Sequence, residues 1–338
     1  MSTASARGGY DCLLLVSFGG PEGPDDVSPY LDRVLRGRRV PPERRREVEQ
    51  HYLRFGGRSP INARNRELLA ALGRELVAHD VDLPLYWGNR NWHPLLADTL
   101  SQMASDGRHR ALAFVTSAYG SYSGCRQYRE DVEGARAEVG AAAPRVDVLR
   151  RFYNHPGFVK ANAARLLAAR KALEAGAEPA VVFSAHSLPV AMAERSPYVE
   201  HLNETCRLVA EAAGLSAWTL AYQSRSGPPS QPWLEPDVCA HLRSLAADGV
   251  ADVVLVPVGF VSDHMEVVYD LDTEAADVAR SVGLRLVRAA TAGTHPAFVG
   301  MIRELVLERL DPAARRRALG DAGPYPDVCP ADCCPASA

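Results

Sequence analysis

Cys12-Leu13-Leu14-Leu15-Val16-Ser17-Phe18-Gly19-Gly20-Pro21 is an apolar run that stops on two glycines and a proline. A strand covered on both faces needs apolar side chains along its whole length, whereas a half-exposed strand alternates. The run therefore predicts a central strand of a parallel sheet, then a tight turn of the kind glycine permits. Val253-Val254-Leu255-Val256 repeats the signature. Outward from these two, short β-branched or aliphatic runs recur near Cys12–Ser17, Leu83–Trp87, Ala111–Ser117 and Val146–Leu149. A second set lies near Ala180–Ala185, Ala217–Tyr222, Asp252–Gly259 and Leu284–Ala289. The stretches between them carry apolar residues at helical spacing, as in Ala161–Ala175. Alternation of this kind implies parallel strands joined by crossovers. The expected fold class is α/β, with two Rossmann-like domains, each a four-stranded parallel sheet flanked by helices. They span residues 8–150 and 151–311 and face each other across a cleft, and residues 312–338 form a cysteine-bearing tail.

Composition narrows the class of function. Hydrophobic residues make up 47% and charged residues 23% of the 338, and the net charge is −3, so a nucleic-acid partner is not expected. No apolar run reaches the ~18 residues of a membrane helix. The first ten residues lack the apolar middle of a signal peptide, so the expected location is the cytoplasm. The only lysines are Lys160 and Lys171; the other basic residues are arginines, so arginine clusters carry less functional weight here than elsewhere.

In folds of this type ligands bind beyond the carboxyl ends of the strands. Phe18 follows the first strand, although Ser17–Pro21 also reads as an ordinary strand-to-loop turn. His186, in Phe183-Ser184-Ala185-His186-Ser187-Leu188-Pro189, follows the fifth; imidazole there can take a proton, bind a metal, or simply hold a structural hydrogen bond. After the seventh strand, Ser262-Asp263-His264-Met265-Glu266 brings three titratable groups together. Ser262 or Asp263 is the expected helix cap with Glu266 as first-turn charge, which leaves His264 and Glu266 without a structural purpose. A histidine and a glutamate at the strand ends of one sheet suit proton abstraction and metal handling.

The chain resembles the ferrochelatases from Leu13 to about Leu310. The resemblance is carried by Ser17–Pro21, by Tyr52-Leu53-Arg54-Phe55-Gly56-Gly57-Arg58-Ser59-Pro60-Ile61, by Tyr86-Trp87-Gly88-Asn89-Arg90, by Phe183–Pro189 and by Ser262–Glu266. It implies a chelatase-type fold that inserts Fe²⁺, the metal substrate, into a porphyrin. His186 and Glu266 fall on the family's essential histidine and glutamate, His186 acting as base or as ligand. Phe18, Tyr52, Ser59 and Tyr128 fall on porphyrin contacts, with Arg90, Tyr119 and Tyr122 near the pocket. Some relatives place Tyr at the position of Phe18; Phe cannot ligate iron, so an axial contact from that position is excluded.

Two porphyrins compete as substrate. Arg33, Arg36, Arg38, Arg39, Arg44, Arg45 and Arg46 fill the Ser28–Gln50 segment, where protoporphyrin IX enzymes often carry a hydrophobic lip. Arginines suit the four carboxylates of coproporphyrin III, although a solvated Arg-rich helix reads the same way. The missing lip and the actinobacterial look of the sequence favour coproporphyrin III in haem b synthesis, with protoporphyrin IX as the alternative and hand-over to a downstream haem-forming enzyme. A cobalt or nickel chelatase, and a non-catalytic porphyrin carrier or iron–sulfur sensor, are the remaining alternatives. Several ferrochelatases hold a 2Fe–2S cluster on three C-terminal cysteines and one internal cysteine; Cys329, Cys333 and Cys334 resemble that tail, and Cys125 falls in the region of the fourth ligand. Four thiolates would also satisfy zinc. Cys12, Cys206 and Cys239 read as core or helix residues.

Overall fold

A computed structural model describes residues 7–37, 40–173, 178–227 and 230–336. The chain divides into two compact units. One gathers the residues up to Thr116 with Tyr128–Leu149 and Val306–Ala314; the other gathers Ser117–Gln127, Arg150–Leu305 and the chain from Arg315.

Each unit is built on a four-stranded parallel sheet, as expected. In the first, β1 (Cys12–Ser17), β2 (Leu85–Asn89), β3 (Arg110–Val115) and β4 (Arg145–Val148) lie in the order β2-β1-β3-β4. In the second, β5 (Ala180–His186), β6 (Thr219–Gln223), β7 (Asp252–Val256) and β8 (Arg285–Arg288) lie in the order β6-β5-β7-β8. The order explains the sequence pattern. β1 and β7 are internal and buried at every residue, while the edge strands β4, β6 and β8 begin on an exposed one. Cys12, Leu14 and Val16 pack with Leu100, Met103 and Val132 of the flanking helices; Val253 and Leu255 pack with Leu242, Leu271 and Ala279.

Strand order also locates the sites. From β1 the chain crosses to β2 on one side and returns to β3 on the other; β5, β6 and β7 repeat that move. Crossovers leaving in opposite directions open a crevice at the carboxyl ends of the two central strands. In the first unit the crevice lies between the ends of β1 and β3, in the second between those of β5 and β7. The expected helix over Ala161–Ala175 is Pro156–Ala172; residues 174 and 175 lie outside the described residues.

Candidate active site

His186 is the last residue of β5. Its Nδ1 hydrogen-bonds the Ser187 carbonyl oxygen, which can only accept, so Nδ1 carries a proton and Nε2 is the working atom. Nε2 lies 3.5 Å from Glu266 Oε1. Tyr198 Oη donates to the His186 carbonyl at 2.8 Å and fixes the strand end. Burial pulls the imidazole pKa down, but the Glu266 charge and hydrogen bond, the Ser187 carbonyl and the Asp270 charge outweigh it and leave the pKa at about 9. At neutral pH His186 is therefore an imidazolium.

The segment after β7 differs from the expected capping pattern. The cap of the short helix Met265–Val268 is His264, whose Nδ1 accepts from the Glu266 backbone N–H at 3.2 Å. Asp263 is drawn away instead, to Arg288 and Thr291 at 3.2 Å each. His264 thus has the structural purpose that sequence reasoning could not find for it. Burial is the first reason its pKa is lowered.

A residue that sequence reasoning missed completes the group. Past Met265–Val268 the helix widens into a π-turn over Asp270–Ala275, with Glu274 N–H reaching back five residues to the Tyr269 carbonyl at 3.0 Å. Asp270 stands four residues after Glu266, one helical turn along the same face. Burial raises its carboxyl pKa, the Ser224 hydrogen bond opposes that, repulsion from Glu266 and Glu274 adds to it, and the result is about 7. Ser224 Oγ donates to Asp270, and Gln223 Nε2 donates to the Glu266 carbonyl. His186, Glu266 and Asp270 are so linked electrostatically as one group of titratable side chains. The i+4 spacing of Glu266 and Asp270, and the position of Gln223 and Ser224 at the end of β6, were the available signals.

The other expected contacts fall into two sets. In the first unit Phe18 leaves the end of β1 and packs with Tyr30, Tyr52 and Trp92. The Arg90 side chain is 5% exposed; it bonds the Asp131 carboxylate, and its guanidinium lies 4.4 Å from the Tyr128 ring centroid and 5.6 Å from that of Phe18. Tyr52 Oη donates to Tyr30 Oη at 3.3 Å, and Ser59 is buried with its N–H on the Pro21 carbonyl at 2.9 Å. The second unit holds Tyr119 and Tyr122. Tyr119 is buried, with Oη on the Val258 carbonyl at 2.8 Å, and Tyr122 opens a π-turn, Tyr122–Arg126.

The arginine segment is less available than its composition suggests. Arg44 pairs with Glu47 at 2.7 Å, Arg45 with Asp32 at 2.7 Å and Arg46 with Glu43 at 3.1 Å. Arg33 and Arg36 are exposed; Arg38 and Arg39 lie outside the described residues.

Cys125, on the Tyr122–Arg126 π-turn, and the tail cysteines belong to one unit. Among these thiols Cys125 hydrogen-bonds Cys334 and Cys329 hydrogen-bonds Cys333, with the two pairs close enough to feel each other's charge. The tail is tied down. Arg126 donates to the Cys333 carbonyl at 3.0 Å, Asn154 to the Leu319 and Gly323 carbonyls at 3.1 and 2.8 Å, and Arg316 to the Tyr325 carbonyl at 2.9 Å. Among the described residues no group of three or more His, Cys, Asp or Glu side chains is placed to hold a metal ion, so the expected four-cysteine cluster site is not seen assembled.

The ferrochelatase family model matches residues 10–310. The chain is 56% identical over 329 residues to a ferrochelatase of Rhodopirellula baltica, covering 96% of this chain and 93% of that one. It is 51% identical over 356 residues to the coproporphyrin III ferrochelatase of Streptomyces griseus, covering 97% and 94%. In structure it is similar to the cobalt complex of a sirohydrochlorin chelatase from Bacillus subtilis, with TM-score 0.53 at 12% identity over 90% of this chain and 97% of that one. That likeness shows a shared fold. Among the described residues no helix is long and apolar enough to cross a membrane.

Proposed function

Because the chain belongs to the ferrochelatase family, we propose that it inserts Fe²⁺ into coproporphyrin III, with His186 and Glu266 at the metal path. The observation that carries the residue assignment is the 3.5 Å contact of His186 Nε2 with Glu266 Oε1 at the β5–β7 crevice. Insertion requires the porphyrin to lose two pyrrole protons and Fe²⁺ to shed water. His186, raised to about 9 beside Glu266, must first give up its Nε2 proton; the resulting imidazole and the carboxylate then both accept protons and both ligate iron, so one group can serve each need in turn. The locked Nδ1 of His186 keeps Nε2 directed at Glu266, and Asp270, titrating near neutrality, takes the proton onward or receives the ion. The macrocycle contacts in this reading are Phe18, Tyr52, Ser59, Arg90 and Tyr128 of the first unit and Tyr119 and Tyr122 of the second. The Arg90 guanidinium lying over the Phe18 and Tyr128 rings supports that role by fixing a cation beside Phe18, which is only partly buried. Arg33 and Arg36 are the exposed arginines left to meet propionates. The iron coproporphyrin product would pass to a downstream haem-forming enzyme.

Cys125, Cys329, Cys333 and Cys334 hold a 2Fe–2S cluster in this reading. Such a cluster takes two thiolates per iron, and two contacting pairs suit it better than one ion. When bound it supplies a covalent tie between the tail and the Tyr122–Arg126 turn.

The test is anaerobic Fe²⁺ insertion into coproporphyrin III and protoporphyrin IX side by side, followed in the visible spectrum. Coproporphyrin III is expected to turn over faster, and His186→Ala and Glu266→Gln to lose about 10²–10⁴ in kcat while still binding porphyrin. Preference for protoporphyrin IX would remove the coproporphyrin assignment, and full turnover by His186→Ala would remove the site.

A further inference from the structure

Gln223 ends β6 and pairs in parallel register with His186 at the end of β5, so the two residues project from the same face of the sheet. It is 1% exposed. Its Nε2 donates to the Glu266 backbone carbonyl, and since that oxygen can only accept, the orientation of the amide is settled. Oε1 is then the opposite end of the amide, and it is buried with no hydrogen-bond partner. An orphaned buried acceptor is unfavourable, and it asks for a donor that the protein itself does not supply. The next residue, Ser224, has φ 63°, a left-handed conformation uncommon outside glycine. That turn delivers Ser224 Oγ to the Asp270 carboxylate. Two consecutive residues at one strand end therefore hold Glu266, by its backbone, and Asp270, by its carboxylate.

We propose that Gln223 is a positioning residue of the metal path: Nε2 fixes the Glu266 backbone, and Oε1 accepts a hydrogen bond from a water carried by the incoming hydrated divalent ion. Ser224 Oγ holds the Asp270 carboxylate directly, where Nε2 holds only the Glu266 backbone. Water on a divalent cation is a strong donor, and an ion losing its shell beside His186 needs an acceptor for the water it still holds. A glutamine serves this need without adding a charge that would trap the ion. The inference rests on the reading that His186 and Glu266 handle the metal.

The experiment uses the full chain and Co²⁺ as a visible-spectrum probe, titrated without porphyrin, together with separate KM values for Fe²⁺ and coproporphyrin III. Gln223→Met keeps the shape and removes both polar ends; Ser224→Gly removes the hydroxyl where glycine accepts the backbone angle. Gln223→Met is expected to weaken Co²⁺ binding and raise the KM for Fe²⁺ by about 10–100-fold, the range for groups that orient metal ligands. Its KM for coproporphyrin III stays at the wild-type value. Ser224→Gly should shift the same two metal readings by about tenfold and serves alone if Gln223→Met does not fold. Unchanged Co²⁺ affinity in the folded variants, or equal loss of metal and porphyrin binding, overturns the proposal. If the wild type inserts no iron while Co²⁺ binding still depends on both His186 and Gln223, the enzymatic reading fails and the placement of Gln223 stands.

Discussion

Lowering the pH from 6.5 to 5.0 should weaken the second unit through two histidines outside the metal path. His155 and His201 are buried, and each Nδ1 accepts a backbone N–H, from Gly157 at 3.1 Å and from Gly120 at 3.2 Å. Protonation would set N–H against N–H at both. Burial, then Arg150 and Arg317, takes the His155 pKa down to about 3; burial, then Arg151, takes that of His201 to about 4. Glu304 lies 3.4 Å from His155 Nε2 and would favour the cation, but Arg317 already holds that carboxylate at 2.8 and 3.0 Å. Both folded pKa values lie below the ordinary 6.5, so the unfolded chain takes up protons first. The stability that neutral imidazoles confer is full above pH 6.5 and drains as the pH falls towards 4 and 3. At about 1.4 kcal/mol per pH unit per group, the drop to pH 5.0 costs about 2 kcal/mol for each histidine. Asp270 acts with the opposite sign. Its folded pKa is raised to about 7, so the fold binds its proton first and gains about 2 kcal/mol over the same window. His186, raised to about 9, contributes fully below pH 6.5 and loses that contribution only as the pH rises towards 9. Together these four groups should therefore cost about 2 kcal/mol. Urea unfolding of the wild type, His155→Gln and His201→Gln at several pH values isolates each group. Each variant starts less stable, and its gap to the wild type should narrow by about 2 kcal/mol between pH 6.5 and 5.0. Parallel pH curves for variant and wild type would refute the reasoning, because they would mean that the imidazole is not neutral in the fold.

Gly259→Ala would place Cβ 2.6 Å from Cα of Ala185, the residue before His186, so β5 must shift. A loss of about 1–3 kcal/mol in unfolding and of about 10²-fold in kcat for iron insertion is expected; wild-type kcat would show that the strand end does not set the geometry. If the proposed cluster is present, Cys334→Ser, purified anaerobically, should lose the visible absorption, iron and acid-labile sulfide expected of the wild type, and a wild type without iron and sulfide would dispose of the cluster.

The sequence by itself determined which segments become strands. A parallel strand between two helical layers must be apolar throughout, and that demand is written locally, in Leu13–Val16 and Val253–Val256. Strand-end reasoning likewise reached His186 and Glu266, because each follows its strand within a few residues. What it could not contain was the order β6-β5-β7-β8, since the direction in which a crossover leaves a strand is set by packing of the whole sheet. That order brings the end of β6 beside the segment that follows β7, and with it Gln223 and Ser224 to Glu266 and Asp270. The capping pattern failed for a similar reason. Ser262 and Asp263 have the right chemistry for a cap, but Arg288 and Thr291, distant in sequence, claim Asp263, and His264 takes the position. Local pattern specifies what a segment can become; which polar groups meet depends on pairings between residues far apart in the chain, and those exist only once the sheets have formed.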